Sequence, residues 1–259
     1  MSFTDSELIA LVQSWLWPFF RVAGLLMAAP VFGTPSVPVR IRLILALSIT
    51  IVIAPILPLV PVADPLSPMG LLVVGQQTLI GITLGLALRT VFLVVDVAGQ
   101  VVAQQMGLGF SMLVDPQNGN SVAVVSQFYN ILTILAFLSL NGHLMLLETL
   151  AGSFRSQPVG AHGLTRDGLW EVTTSVGWLF AQAVLIALPA IVTLTIINLA
   201  FAVTSRIAPQ MNLFAVGFPA ILLLGMAVLI LSLSGFSGQV AHLFDGAFDL
   251  IQGLLETGQ

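Results

Sequence analysis

The chain has 259 residues, 58% of them hydrophobic and 7% charged, and its mean hydropathy is +1.08. Soluble domains carry roughly a quarter charged residues, so this is the composition of an integral membrane protein. Cysteine and lysine are both absent, and the net charge is −4 without a basic run. These facts exclude a disulfide framework, a thiolate metal site and a thiol nucleophile, and argue against nucleic acid or a polybasic lipid-binding tail.

A spanning helix needs ~20 apolar residues, and six stretches approach that length: 8–30, 41–63, 70–95, 122–151, 172–203 and 213–233. Ahead of the first, Asp5, Ser6 and Glu7 suit a helix N-terminus with Thr4 as its cap. An acidic start with no clear cleavage site predicts that this span is retained rather than removed as a signal peptide. It carries Trp15, Trp17 and Arg21 around Pro18, so it should be kinked, with the charge facing protein rather than lipid. Three prolines and a glycine between residues 30 and 38 then stop it.

In the second span, prolines at 55, 58, 61, 65 and 68 limit a clean helix from Ile41 to about Ala54, roughly 20 Å long. That is short for a bilayer, and its broken continuation needs cover from neighbouring chains. The third is the opposite case: nothing interrupts a helix from Met69 to Gln105, which overshoots a membrane at ~55 Å. Gly81 and Gly85 form a small-xxx-small pair, and Arg89, Asp96, Gln100 and Gln104 extend their face, so this stripe should pack on protein with Arg89 and Asp96 buried and paired, within the chain or to a neighbouring subunit.

The next stretch, residues 104–119, is too apolar for an ordinary solvent loop. Met106, Leu108, Phe110, Met112, Leu113 and Val114 give it a deformable hydrophobic surface, Gly107 and Gly109 free its backbone, and Asp115-Pro116 ends it in a turn. Irregular apolar backbone at membrane depth is tolerated where protein buries it or where it closes a cavity. Two readings fit: a plug or gate, and packing within a helical bundle.

After a capping sequence at Asn118 to Ser121, the fourth span holds Gln127, Tyr129, Asn130, Asn141-Gly-His143 and Glu148. A polar stretch over 152–171 follows, with Thr165 or Asp167 as the next cap. The fifth span should bend at Pro189 and form a hairpin with the sixth around residues 204–212, and Pro219 and Gly225 should interrupt the sixth. In the tail, 235–259, Val240, Leu243, Phe244, Ala247, Phe248 and Ile251 fall at helical spacing opposite Asp245, Asp249 and Gln252, which predicts an amphipathic helix for an interface or a partner. The arginine distribution favours both termini outside.

The expected fold is therefore all-α: a polytopic membrane protein of about six long, kinked hydrophobic helices and an amphipathic C-terminal helix, forming one unit over 1–259. His143, His162 and His242 lie on separate elements without an i,i+4 partner, so no metal site is expected. Gly107-Leu-Gly109 lacks a dinucleotide-binding context, and no nucleophile elbow is present, so nothing points to catalysis or a cofactor. A secondary transporter using Arg89, Asp96 and Glu148 is the rival, but no internal repeat frames such a site.

Several short segments, in this order, resemble the FliR family of the bacterial flagellar export apparatus, whose injectisome counterpart is SctT. They are Arg21 followed by Ala29-Pro-Val-Phe-Gly33, Pro38-Val-Arg-Ile-Arg42, Gly81-Ile-Thr-Leu-Gly85, the loop from Gly107 to Asp115-Pro116, Leu140-Asn-Gly-His-Leu144, Pro158-Val-Gly160 and Ile207-Ala-Pro-Gln-Met-Asn212. The resemblance implies a non-enzymatic export-gate subunit without cofactors. It implies a place in the bacterial inner membrane and flagellar basal body, beside FliP and FliQ homologues and FlhB, with unfolded secreted proteins as substrates. It further implies that the first four spans, 1–151, carry a pore plug at 106–117, formed by Met106, Gly107, Leu108, Gly109, Phe110, Ser111, Met112, Leu113, Val114, Asp115 and Pro116. Residues 172–233 would be the FliQ-like hairpin. Family tails are commonly basic, whereas this one is acidic.

Overall fold

The structure, a computed structural model, describes residues 5–57, 65, 67–108, 124–160, 166–207 and 213–256. Seven α-helices account for the described chain: α1 (Asp5–Ala28), α2 (Val39–Ile53), α3 (Pro68–Gln105), α4 (Val124–Ser139), α5 (Gly142–Ser156), α6 (Arg166–Ile207) and α7 (Leu213–Glu256). Among the described residues four helical stretches are long and apolar enough to cross a membrane, or five if the bent α4–α5 pair is one span. The protein is thus an all-α polytopic membrane protein.

Local chemistry explains most element ends. α2 stops at Ile53 and tightens into a 3₁₀ turn at Ala54–Ile56, where Pro55 cannot continue the α-helical hydrogen bonds. α1 ends in a three-residue turn: Phe32 N–H bonds Pro30 O at 2.7 Å across Val31, whose φ is 67°. A β-branched residue in that region stores strain of order 1–3 kcal/mol. Arg42 Nη2 donates to the carbonyls of Thr34 and Val37, both at 3.1 Å, and so braces the same turn from α2. The expected fourth span is broken at Asn141, which adopts φ 58° before Gly142 and turns the axis by 65°.

Elsewhere the helices outrun the sequence reading. Pro219, Gly225, Gly235 and Gly238 all lie inside α7, so the sixth span and the tail are one 44-residue helix. The tail pattern holds within it: Val240, Leu243, Phe244, Ala247, Phe248 and Ile251 are buried, while Asp245, Asp249 and Gln252 are exposed. That apolar face is covered by the chain itself. Asp167 lies inside α6, and Thr4, Thr165 and residues 208–212 fall outside the described chain.

By contacts the chain divides into two compact units, Met1–Thr90 with Asn141–Ser175 and Phe244–Gln259, and Val91–Leu140 with Val176–Leu243. In the first unit α1 packs on α2 and lies against α3 through glycines. A Cβ at Gly24 would meet Thr78 O at 2.6 Å, and one at Gly85 would meet Ala29 N at 2.7 Å. In the second unit α3 meets α4 at Gly99, where a Cβ would lie 2.5 Å from Ser126 Cα, and Tyr129 of α4 stacks on Phe236 of α7 with ring centroids 4.8 Å apart.

Candidate functional site

The end of α3 is where the apolar loop begins, and it is capped from several sides. Met106 N–H still bonds Val102 O, but Gly107 turns to φ 77°, and its N–H reaches Gln104 O while Leu108 N–H reaches Ala103 O, both at 3.0 Å. This nested pair of bonds ends a helix at a left-handed residue, a conformation that glycine takes without a Cβ penalty. From α6, Asn198 Nδ2 donates to Gln105 O at 3.3 Å and satisfies one of the orphan carbonyls of the last turn. Met106 is 1% exposed and seats against Gly225 of α7. Met106, the first of the residues that the resemblance assigns to the plug, is thus buried at the root of the loop.

Beside this root lies a mostly apolar cleft of about 630 Å³, lined by Gln104, Gln105, Met106 and Gly107 of the α3 end, by Asn198, Phe201 and Ala202 of α6, and by Gly217, Phe218 and Ile221 of α7. Leu108 is half-buried. Gly109, Phe110, Ser111, Met112, Leu113, Val114, Asp115 and Pro116 lie outside the described residues.

The stripe along α3 does not act as one face. Gly81 and Gly85 are buried against α1, Gly81 over the Arg21 carbonyl. Arg89 is exposed, without an ion pair among the described residues, because eight residues past Gly81 the helix has turned about 80° away. Asp96 is half-buried and accepts bonds from Asn130 Nδ2 at 3.1 Å and Gln100 Nε2 at 2.9 Å. Its needs are met by amides, not by Arg89. Gln100, Gln104 and Glu148 are exposed.

Among the described residues the buried charge is Arg21, 0% exposed, which does face protein as the sequence required. Its Nε donates to Gln77 Oε1 at 2.8 Å, its Nη1 to Ser153 Oγ at 3.0 Å and its Nη2 to Gln157 O at 2.8 Å, while its Cζ lies 4.1 Å from the Phe154 ring centroid. The rigid guanidinium fork reaches three directions at once, joining α1, α3 and the end of α5. Gln157 in turn donates through Nε2 to Leu254 O of α7 at 3.3 Å. Among the described residues no group of three His, Asp or Glu side chains is arranged to hold a metal.

A polytopic helical membrane protein with a buried polar node in one unit and a glycine-capped end of α3 in the other is the class these features define. Residues 12–247 match the family described as bacterial export proteins, family 1. Over 255 residues, covering 98% of this chain and 97% of the relative, the sequence is 37% identical to the flagellar biosynthetic protein FliR of Pectobacterium carotovorum subsp. carotovorum. It is 34% identical to FliR of Escherichia coli (strain K12), with 97% and 96% of the two chains covered. To FliR of Aquifex aeolicus (strain VF5) it is 30% identical, with 98% and 96% covered. The chain belongs to the FliR family of bacterial export proteins.

Sequence reasoning missed Gly225, read as an interruption, and the role of Asn198. Both act through a partner on another helix, a kind of contact that spacing along one helix does not reveal.

Proposed function

We propose that the chain is a non-enzymatic subunit of the flagellar protein export gate, assembled with FliP and FliQ homologues in the bacterial inner membrane. In this reading the apolar loop 106–117, Met106 to Pro116 and the residue after it, plugs a pore through which unfolded proteins are secreted, with the buried Met106 as its anchor. The near full-length match to the export family carries the function. The plug has separate support: α3 is stopped by a glycine cap beside an apolar cleft, and the residues that follow are apolar. Soft apolar packing excludes water and ions from a constriction without any charged gate. The transporter reading has less support, because Arg89 and Glu148 are exposed and Asp96 is already satisfied by Asn130 and Gln100.

Deleting residues 107–114 separates the plug from mere core packing. Co-purification with the FliP and FliQ homologues should persist while ion leak through membranes holding the complex rises. Lost complex yield without any leak would instead mean that the segment is core packing.

A further inference from the structure

The α7 face that lines the cleft with Phe218 and Ile221 continues by one turn to Gly225. A Cβ built there would lie 2.6 Å from Met106 Cγ, 2.8 Å from its Cε and 3.1 Å from its Sδ. The absent side chain of Gly225 is thus the socket for Met106. Met106 stands one residue before the left-handed Gly107, so the socket grips the chain where it leaves α3.

We propose that Gly225 is a positioning residue that acts through Met106 to fix where, and in which direction, the apolar segment departs from α3. That this position sets the closed state of a pore rests on the plug reading above. Elsewhere the tight glycines face backbone: a Cβ at Gly99 would meet Ser126 Cα at 2.5 Å and Ser126 N at 2.8 Å, and one at Gly85 would meet Leu25 O at 2.8 Å. Bulk at those positions forces whole helices apart. At Gly225 the obstacle is an unbranched side chain free to rotate about its own bonds, with a cleft of about 630 Å³ beside it. Bulk there displaces Met106 and leaves the helices in place, so a substitution moves the loop root without breaking the bundle.

The test uses the complex in its membrane. Because the chain has no cysteine, a single Leu108→Cys reports on the loop root through its rate of maleimide labelling. Gly225→Val and Met106→Ala should each raise that rate severalfold, the first by filling the socket and the second by emptying it. The pair Gly225→Val with Met106→Ala, in which the two side chains exchange size, should bring the rate back towards its starting value, since contacting residues couple non-additively. An unchanged rate in Gly225→Val, or a rise that persists in the pair, would overturn the proposal. If valine lowers complex yield, the same comparison with Gly225→Ala decides. Ion leak measured in parallel separates the two readings. A leak on deletion of 107–114 with unchanged labelling keeps the plug and removes the positioning role. Altered and rescued labelling without a leak on deletion keeps the positioning role and removes the plug.

Discussion

Arg21 is held without a carboxylate among the described residues, so its burial is balanced by dipoles: one side-chain amide, one hydroxyl, one backbone carbonyl and the face of Phe154. Hydrogen bonds from a charged donor contribute ~1.5–3 kcal/mol each, and a desolvated cation over an aromatic ring adds about 2 kcal/mol. Together these offset a desolvation penalty of several kcal/mol. Lysine keeps that penalty but not the fork. A compact ammonium cannot reach Gln77, Ser153 and Gln157 together, so Arg21→Lys should destabilise the fold by ~2–3 kcal/mol, the worth of at least one charged bond. An unchanged thermal midpoint of the complex co-purified with the FliP and FliQ homologues would show that the three bonds do not stabilise the fold. The need for this arginine to face protein was legible in the sequence. Its partners were not, since they lie 56 to 136 residues away.

At the scale of elements, α1 and α3 touch backbone to backbone because Gly24, Gly81 and Gly85 present no side chains there. Gly81→Ala would drive a methyl into the Arg21 carbonyl and push apart the helices that the Arg21–Gln77 bond joins. Overpacking of this kind costs typically 1–3 kcal/mol. Gly75, on the same helix, has nothing within 4 Å of a built Cβ, so Gly75→Ala should be neutral or stabilise by up to ~1 kcal/mol. Opposite shifts in the denaturation midpoint of the co-purified complex for the two variants check the assignment; equal shifts would count against it. The packing at Gly81 and Gly85 could be read from their spacing, and the end of α2 from Pro55. The continuity of α7 could not. Pro219 and Gly225 look like breaks, yet both sit within the helix. Asn141-Gly142 carried the opposite lesson: a polar pair that resembles mid-helix packing supplies the left-handed residue of a bend.

At the scale of the whole molecule, the described residues leave much of their apolar surface uncovered. In the most apolar stretches, 56% of α3 is buried within the chain, against 17% of α2, 22% of α6 and 17% of α7. α2 and the 3₁₀ turn that continues it run 18 residues, ~28 Å in all, which reaches across a ~30 Å hydrocarbon core with no margin. Prolines at 58, 61 and 65 in the sequence that follows cannot continue a helix, and non-helical backbone near membrane depth needs protein rather than lipid as cover. Made alone, the protein should therefore aggregate or unfold, and co-expression with the FliP and FliQ homologues should give monodisperse material in mild detergent. A long-lived solitary monomer with no gain from co-expression would contradict this. Time enters through the way the first unit is assembled from separated segments. The Gln157 amide bonds Leu254 O across 97 residues, a stretch that a ribosome takes ~5–20 s to add at 5–20 residues per second. For that interval α1, α3 and α5 wait in the membrane without the closing turn of α7. Whatever holds the nascent chain during synthesis must keep this half-built, arginine-bearing unit from being degraded.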